Sequence, residues 1–522
     1  MTVTVESPRA LVCSPDHLAS SAGVAILRAG GTAVDAAVGA SAVLAVTSPH
    51  MCGTGGDLLA LVHNGRGDVH ALQANGRSGS GADLDRIRAD GHVTMPFRGD
   101  VRSVPVPGCV DGWLALHKRY GGRPLTEILA PAIAYATEGF PVAPLLAEAS
   151  QLLLDVPEAG ELASAGGLRP GHMLHRPGVA AALRAIITDG RDGFYLGDFG
   201  RGLLELGSGE FTAEDLRRPN ADWVAPLTTS VWGHRIDTTP PVSQGYLTLL
   251  AARVAAQQAL PDDPQDERWP HLLVEASRAA GFDRPNVLHD GADGTALIND
   301  TLIAERVGLV DADRRSALPE PGERSGTIAV TVVDSSRRGV ALVQSNAAGF
   351  GSHIFEPSTG IGLHNRGIGF SLEPRHPAAY GPGRRPPTTL APILISHQDG
   401  QLRSVLATMG ADSQPQILLQ LLARTLLHGE SPGTAVGAGR WVLGSDGGHL
   451  FETWTRSQHQ VVRVEEHAPS VWRPALEQRG HRVVVAVAPK VNFGHAQIVT
   501  VEGEVLRGAV DPRAVSGAAC GY

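Results

Sequence analysis

The sequence predicts an α+β protein, on three observations: glycine-punctuated helix signals near the start, strand-like runs after them, and a hairpin signal around 327–345. Ser14 or Asp16 can cap a helix over 17–28, which Gly30 and Gly31 stop. A second helix fits 33–46 and ends near Pro49. Strand-like runs follow at 58–63 and 69–72. Much of 110–280 reads as helical, with breaks at Pro124, Pro141, Pro170 and the Pro240-Pro241 pair.

The hairpin has a distinctive approach. Residues 311–326 are polar, charged and broken by prolines, which predicts an exposed loop where chain cleavage would be tolerated. Then comes Thr-Ile-Ala-Val-Thr-Val-Val-Asp at 327–334, rich in β-branched residues, a turn at 335–338 and a second strand over 339–345. A four-residue turn pairs position 334 with 339. Counting back along both strands places Asn346 opposite Thr327, with Ser345 adjacent. No internal repeat or low-complexity tract is visible.

Bulk properties narrow the function classes. The formal net charge of -9 argues against a nucleic-acid partner. Lys118 and Lys490 are the only lysines, so positive charge is mostly arginine, which suits fork-like recognition of carboxylates. Cys13, Cys52, Cys109 and Cys520 are widely spread, without metal-ligand spacing, and read as free thiols of a reducing compartment. The N-terminus lacks a basic stretch followed by an apolar one, and the apolar run 36–46 is too short to span a bilayer. The expectation is a cytoplasmic protein without a membrane partner. A serine-hydrolase elbow, a His-Glu-x-x-His helix and a P-loop are all missing from the sequence. His353, His364 and His376 have no common zinc spacing. Neither metal nor cofactor is expected.

A threonine hydroxyl is a poor nucleophile without a base. Cleavage of the Gly326–Thr327 bond would make Thr327 N-terminal, so that its own α-amine takes the proton. That amine has a reference pKa near 8, leaving a useful neutral fraction at physiological pH. Gly326, having no Cβ, tolerates the strained backbone that attack on its carbonyl needs.

Segments in one consistent order carry a family resemblance. They include Ser-Pro-Asp-His-Leu-Ala-Ser at 14–20, Gly-Gly-Thr-Ala-Val-Asp-Ala-Ala at 30–37 and Ser-Pro-His-Met-Cys-Gly-Thr-Gly-Gly-Asp at 48–57. Others are Pro-Pro-Val-Ser-Gln-Gly at 240–245, Arg-Pro-Pro-Thr-Thr-Leu-Ala-Pro at 385–392, Met-Gly-Ala at 409–411 and Phe-Gly-His-Ala-Gln at 493–497. Together they resemble the gamma-glutamyltranspeptidase family of N-terminal-nucleophile hydrolases over nearly the whole chain. The resemblance implies a four-layer αββα sandwich from two intertwined segments of one precursor, 1–326 and 327–522, whose fragments stay associated. It implies Thr327 as nucleophile, Ser345 as a second-strand hydroxyl beside it, and the backbone amides of Gly410 and Ala411 as oxyanion donors. It places Arg77, or Asn75 if the register shifts, at the carboxylate-binding position. Asn346, Thr388 and Thr389 become substrate-binding candidates.

One segment departs from the family pattern. In Leu-His-Asn-Arg-Gly-Ile-Gly-Phe at 363–370, Gly369 stands where glutathione-using members resemble an aspartate, and Arg366 where they have glutamine. Losing the carboxylate removes a charge-assisted contact to an α-ammonium, and Arg366 biases the pocket toward anions. The expected activity is cleavage of a γ-glutamyl or related acyl amide through an acyl-enzyme, on a small anionic substrate. The alternatives are a C–C bond or oxamate-type hydrolase acting beside an oxalyl group, with Arg77 and Arg366 holding the acid, and a non-catalytic binding protein on the same fold.

Overall fold

A computed structural model describes residues 2–163, 166–318, 328–446, 451–454, 460–486 and 493–522; Gly326 and Thr327 lie outside the described residues. Local capping chemistry sets the first two helices. The Asp16 carboxylate accepts from the Leu18 amide at 2.9 Å and opens α1 (His17–Arg28), so Asp16 is the cap and Ser14 is not. Thr32 and Asp35 form a reciprocal capping box at the start of α2 (Ala33–Thr47). Every residue of α2 is buried, so it has no polar face, as befits a helix packed on all sides. Gly39 permits its close crossing with α1, since a Cβ there would lie 2.2 Å from Ile26 Cδ1.

Fourteen strands build two seven-stranded sheets. In chain order they are β1 (Val5–Ser7), β2 (Leu11–Ser14), β3 (Asp57–His63), β4 (Val69–Ala74), β5 (Asp222–Val224), β6 (Leu227–Val231) and β7 (His234–Thr238), then β8 (Ile328–Val333), β9 (Gly339–Ser345), β10 (Ile393–Ser396), β11 (Leu402–Ala407), β12 (Gln497–Glu502), β13 (Val505–Val510) and β14 (Ala518–Gly521). One sheet runs β1-β13-β12-β11-β10-β7-β6 and the other β14-β2-β8-β9-β3-β4-β5. Each takes strands from both sides of residue 326.

Burial explains the layers. Leu61, Val333 and Ala341 of one sheet pack against Leu394, Val405 and Val499 of the other. On their opposite face, Val330, Val332 and Leu342 join the core made with α1 and α2. Beyond the other sheet lie α3 (Gly245–Ala255), α4 (Trp269–Gly281) and α5 (Gln414–Leu422), packed on Ile393, Leu406 and Ile498. The order is helix, sheet, sheet, helix, an αββα sandwich. Both faces of β8 and β9 are therefore covered. That is why these antiparallel strands read as continuous apolar runs without polar alternation.

The hairpin register corrects the expectation by one residue. Val333, not Asp334, pairs with Gly339, and Ile328 pairs with Gln344. Asp334 belongs to the turn: its amide donates to the Arg338 carbonyl at 3.1 Å, and its carboxylate accepts from the Ser336 and Arg338 amides. It also accepts from the Ala33 amide at 2.8 Å, tying the turn to the start of α2. Arg337 takes a φ of 57° to close this five-residue loop. The stretch expected to be helical also holds β5, β6 and β7. β6 and β7 are joined by Trp232 and Gly233, both at positive φ, as a two-residue hairpin turn requires.

The expected exposed loop is exposed over 312–314 but not at Ser316. There Glu275 accepts from the Ser316 amide at 2.8 Å and Arg278 donates to its carbonyl at 3.0 Å. No helix among the described residues is long and apolar enough to cross a membrane.

Candidate active site

The site is built where β9 ends. Ser345 is fully buried and its hydroxyl accepts from the Ala347 amide at 2.8 Å. The chain then turns through a loop in which Ala347, Phe350 and His353 all have positive φ, at 70°, 56° and 60°. Non-glycine residues in this region carry strain, which the surroundings must hold in place. Asn346 does much of that holding. Its amide donates to the Met51 carbonyl at 3.0 Å, its side chain to the Pro49 carbonyl at 3.0 Å, and its carbonyl accepts from Asn365 at 3.2 Å. The Asn365 side chain in turn accepts from the Ala348 amide at 3.0 Å.

Facing this loop is the turn between β11 and α5. Gly410 has φ 138° and Ala411 φ 55°, and Ala411 opens a short 3-10 turn ahead of α5. The amides of Gly410 and Ala411 thus lie at a helical N-terminus, where N–H groups have no partner within the helix. Two side chains brace this turn. Thr408 Oγ1 donates to the Met409 carbonyl at 2.8 Å, on the peptide that carries the Gly410 amide. Gln244, the residue before α3, donates through Nε2 to the Ala411 carbonyl at 3.0 Å and the Thr389 carbonyl at 3.2 Å.

Ala347, Ala348, Gly410 and Ala411 line one cavity of about 330 Å³. Met51, Leu145, Leu152, Met409 and Phe451 give it apolar walls, and His50 and His495 enter it. Burial, then the proximity of His495, pushes His50 down to about 3. Burial likewise pushes His495 down to about 4, against the pull of Asp511. Both imidazoles are neutral at physiological pH, and His50 Nδ1 has no hydrogen-bond partner. Burial pushes the Cys13, Cys52 and Cys109 thiols up, which is the wrong direction for a thiolate nucleophile. Among the described residues no cluster of His, Cys, Asp or Glu is arranged to hold a metal ion.

With this geometry in place, the family model described as Gamma-glutamyltranspeptidase matches residues 19–521. The chain belongs to the gamma-glutamyltranspeptidase family. It is similar to the oxamate amidohydrolase proenzyme of Klebsiella pneumoniae subsp. pneumoniae, at 34% identity over 99% of both chains. It is also similar to the glutathione hydrolase-like YwrD proenzyme of Bacillus subtilis, at 33% identity over the full length of both. Among solved structures, a cephalosporin acylase from Bacillus halodurans matches with a TM-score of 0.90 at 30% identity, covering 100% of this chain and 97% of that one. The chain is an enzyme of this family of N-terminal-nucleophile hydrolases, with its αββα fold.

Seen within the gamma-glutamyltranspeptidase family, the nominated residues divide into two groups. Ser345, Asn346, Gly410 and Ala411 gather around the apolar cavity or its supporting loop. Thr388 and Thr389 are buried beside them, held by Val242 and by Gln244, whose amide donates to the Thr388 carbonyl at 2.9 Å. The two arginines behave otherwise. Arg366 is fully buried and forms a bidentate pair with Asp57, at 2.7 and 3.2 Å. Arg77 donates to Asp222 at 2.7 Å, and Arg385 shares the same carboxylate oxygen at 2.6 Å. Asn75, the alternative to Arg77, accepts from Arg385 at 3.1 Å and donates to the Pro386 carbonyl. Each guanidinium meets a carboxylate far away in the sequence; the Arg366–Asp57 pair is fully buried, whereas Asp222 is half-exposed.

Sequence reasoning did not single out His50, His495, Gln244 or Asn365. All four stand inside or beside segments that carry the family resemblance, but no spacing rule marks them. Only the fold brings them to one place.

Proposed function

We propose that this chain is a self-processing amide hydrolase that removes an acyl group with an apolar face, with Thr327 as its nucleophile. The observation that carries this reading is the sharp Gly410-Ala411 turn opening on the same apolar cavity as the loop after Ser345. Ile328 pairs with Gln344, so Ser345 and Asn346 are the next residues along the partner strand from the start of β8. In the reaction, the Thr327 α-amine takes the hydroxyl proton as Oγ1 attacks the acyl carbon. The Gly410 and Ala411 amides receive the developing oxyanion, and the amine leaves with the returned proton. Water then resolves the ester by the same route. Ser345 supports the attacking hydroxyl, and Thr388 and Thr389 shape the pocket wall.

The pocket favours an acylase over a glutathione hydrolase. Position 369 is glycine, so an α-ammonium finds no carboxylate there, and Arg366 is paired with Asp57. Cavity walls of Leu, Met and Phe side chains suit an apolar acyl group. An oxamate-type activity is the second reading, supported by the whole-length similarity to the Klebsiella proenzyme. The test is a denaturing gel followed by an assay. The cut protein gives fragments of about 34 and about 20 kDa, scaled from residue counts, and Thr327→Ala gives one band. The cut enzyme turns over phenylacetyl anilide faster than γ-glutamyl anilide or oxamate. Preference for oxamate favours the second reading. A full-length band that persists on incubation, with no turnover, favours a binding protein.

Cleavage would leave the pieces together. β8 is paired on one side with β2, from before residue 326, and on the other with β9, from after it.

A further inference from the structure

A second cavity, of about 570 Å³, lies near the first. The two share no lining residue; Ile368 lines the larger one and packs with Ala348, Ala411 and Phe451, which line the smaller. At the larger cavity stands Arg284, only 1% exposed. Its Nε and Nη2 atoms have no hydrogen-bond partner. The equally buried Asp412 carboxylate pairs with its charge at 3.8 Å from Nη2, but that distance is too long for a hydrogen bond. A guanidinium stays charged under all ordinary conditions, and burying it with donors unused is costly. Met95, Leu288, Phe370 and Leu372 form the apolar part of the wall, Asn286 and His376 belong to its polar part, and Arg88 is exposed at the edge. Glu373 also borders the cavity but is exposed to solvent.

We infer that this cavity is a binding site for an organic acid with an apolar body, whose carboxylate is held by Arg284. The planar fork of a guanidinium matches a carboxylate through two parallel bonds, and Arg284 has two unused donor atoms. The apolar walls take the rest of the molecule. This site does not depend on Thr327 being the nucleophile. The acid is either the carboxylate of a substrate that reaches past Ile368 or a separate acid.

The test is calorimetric titration of phenylacetate into the full-length Thr327→Ala chain and into the wild-type enzyme. Saturable binding is expected, with the neutral phenylacetamide binding at least tenfold more weakly. Arg284→Gln, checked for native circular dichroism, is expected to weaken phenylacetate at least tenfold. Ser371→Glu, at a half-exposed lining position, adds a negative charge without removing Arg284 and is expected to weaken it too. It covers the case where Arg284→Gln does not fold. Absence of saturable phenylacetate binding, equal binding of phenylacetamide, or unchanged affinity in a folded Arg284→Gln or Ser371→Glu chain overturns the assignment. In the active enzyme, competitive inhibition of amide turnover that is lost in Arg284→Gln identifies the acid as part of the substrate, since phenylacetate acting only as released product would compete whatever residue stands at 284, and binding without competition identifies a separate acid. Both patterns support the site.

Discussion

Asp57 and Arg366 form a bidentate ion pair with neither side chain exposed, and Asp57 is the cross-strand partner of Ser345. The pair fixes the segment after Leu363 against the start of β3, directly at the proposed catalytic strand. Breaking a buried pair leaves a lone charge that nothing solvates. Arg366→Ala is therefore expected to destabilise the fold by about 3–5 kcal/mol, measured by urea denaturation. Asp57→Ala should do the same. Pairing Arg366→Met with Asp57→Leu should recover most of the loss. A stable Arg366→Ala protein with only a raised KM would instead mark Arg366 as a substrate ligand.

Ala411 holds a left-handed backbone, which an L-residue adopts at a cost of about 1–2 kcal/mol. Glycine there removes the strain but adds unfolded-chain freedom worth about 0.4–1 kcal/mol. Ala411→Gly is expected to raise stability by about 0–1.6 kcal/mol, with kcat retained. Ala411→Val should lower kcat sharply, because a β-branched residue resists this φ.

Gln244 holds the Ala411 carbonyl, on the peptide after the Gly410–Ala411 step, without itself lining the cavity, and so braces the turn that presents the two amides. It is a positioning residue. Gln244→Ala is expected to lower kcat roughly ten- to hundredfold, below the full loss of an oxyanion donor, while KM stays within about twofold. Gln244→Glu, which replaces the donor by an acceptor, should lower kcat similarly. Equal falls in kcat and thermal stability across both variants would point to a purely structural role.

His50 and His495 give the fold an acid limit. Their native pKa values, about 3 and about 4, lie below the ordinary imidazole value of 6.5. Below pH 6.5 the unfolded chain binds protons that the native chain refuses, so stability falls as pH drops from 6.5 toward 4 and is fully present above 6.5. Each group contributes up to about 1.4 kcal/mol per pH unit in that window. Denaturation at pH 7.5 and pH 5.5 should reveal the loss, and His50→Phe should reduce its slope. Neither histidine should appear in the kcat/KM profile between pH 5 and 8. The limb expected there belongs to the Thr327 amine, with an apparent pKa near 8.

Legibility in the sequence followed the range of the chemistry involved. α1 was legible to the residue because Asp16 and the glycines after Arg28 act locally. β8 and β9 were legible because the β-branched run of one and the apolar run of the other are separated by turn residues. The hairpin register was missed by one because Asp334 satisfies the turn through its own carboxylate, and a one-residue change exchanges the faces of a strand. β6 and β7 were missed because short strands near a sheet edge, with polar residues facing solvent, resemble amphipathic helix over so few positions. The pairing of Arg77 with Asp222 and of Arg366 with Asp57 was not legible, because these carboxylates become neighbours only when the sandwich closes.

The interleaving of the two sheets reaches back to synthesis. A piece made only of 1–326 would lack the strands that separate β2 from β3, and each would present unpaired N–H and C=O groups to other chains. Such open ladders invite edge-to-edge association between molecules. If the chain is cut after residue 326 as proposed, keeping both segments on one polypeptide until the sheets have formed would remove that hazard, with closure coming before scission.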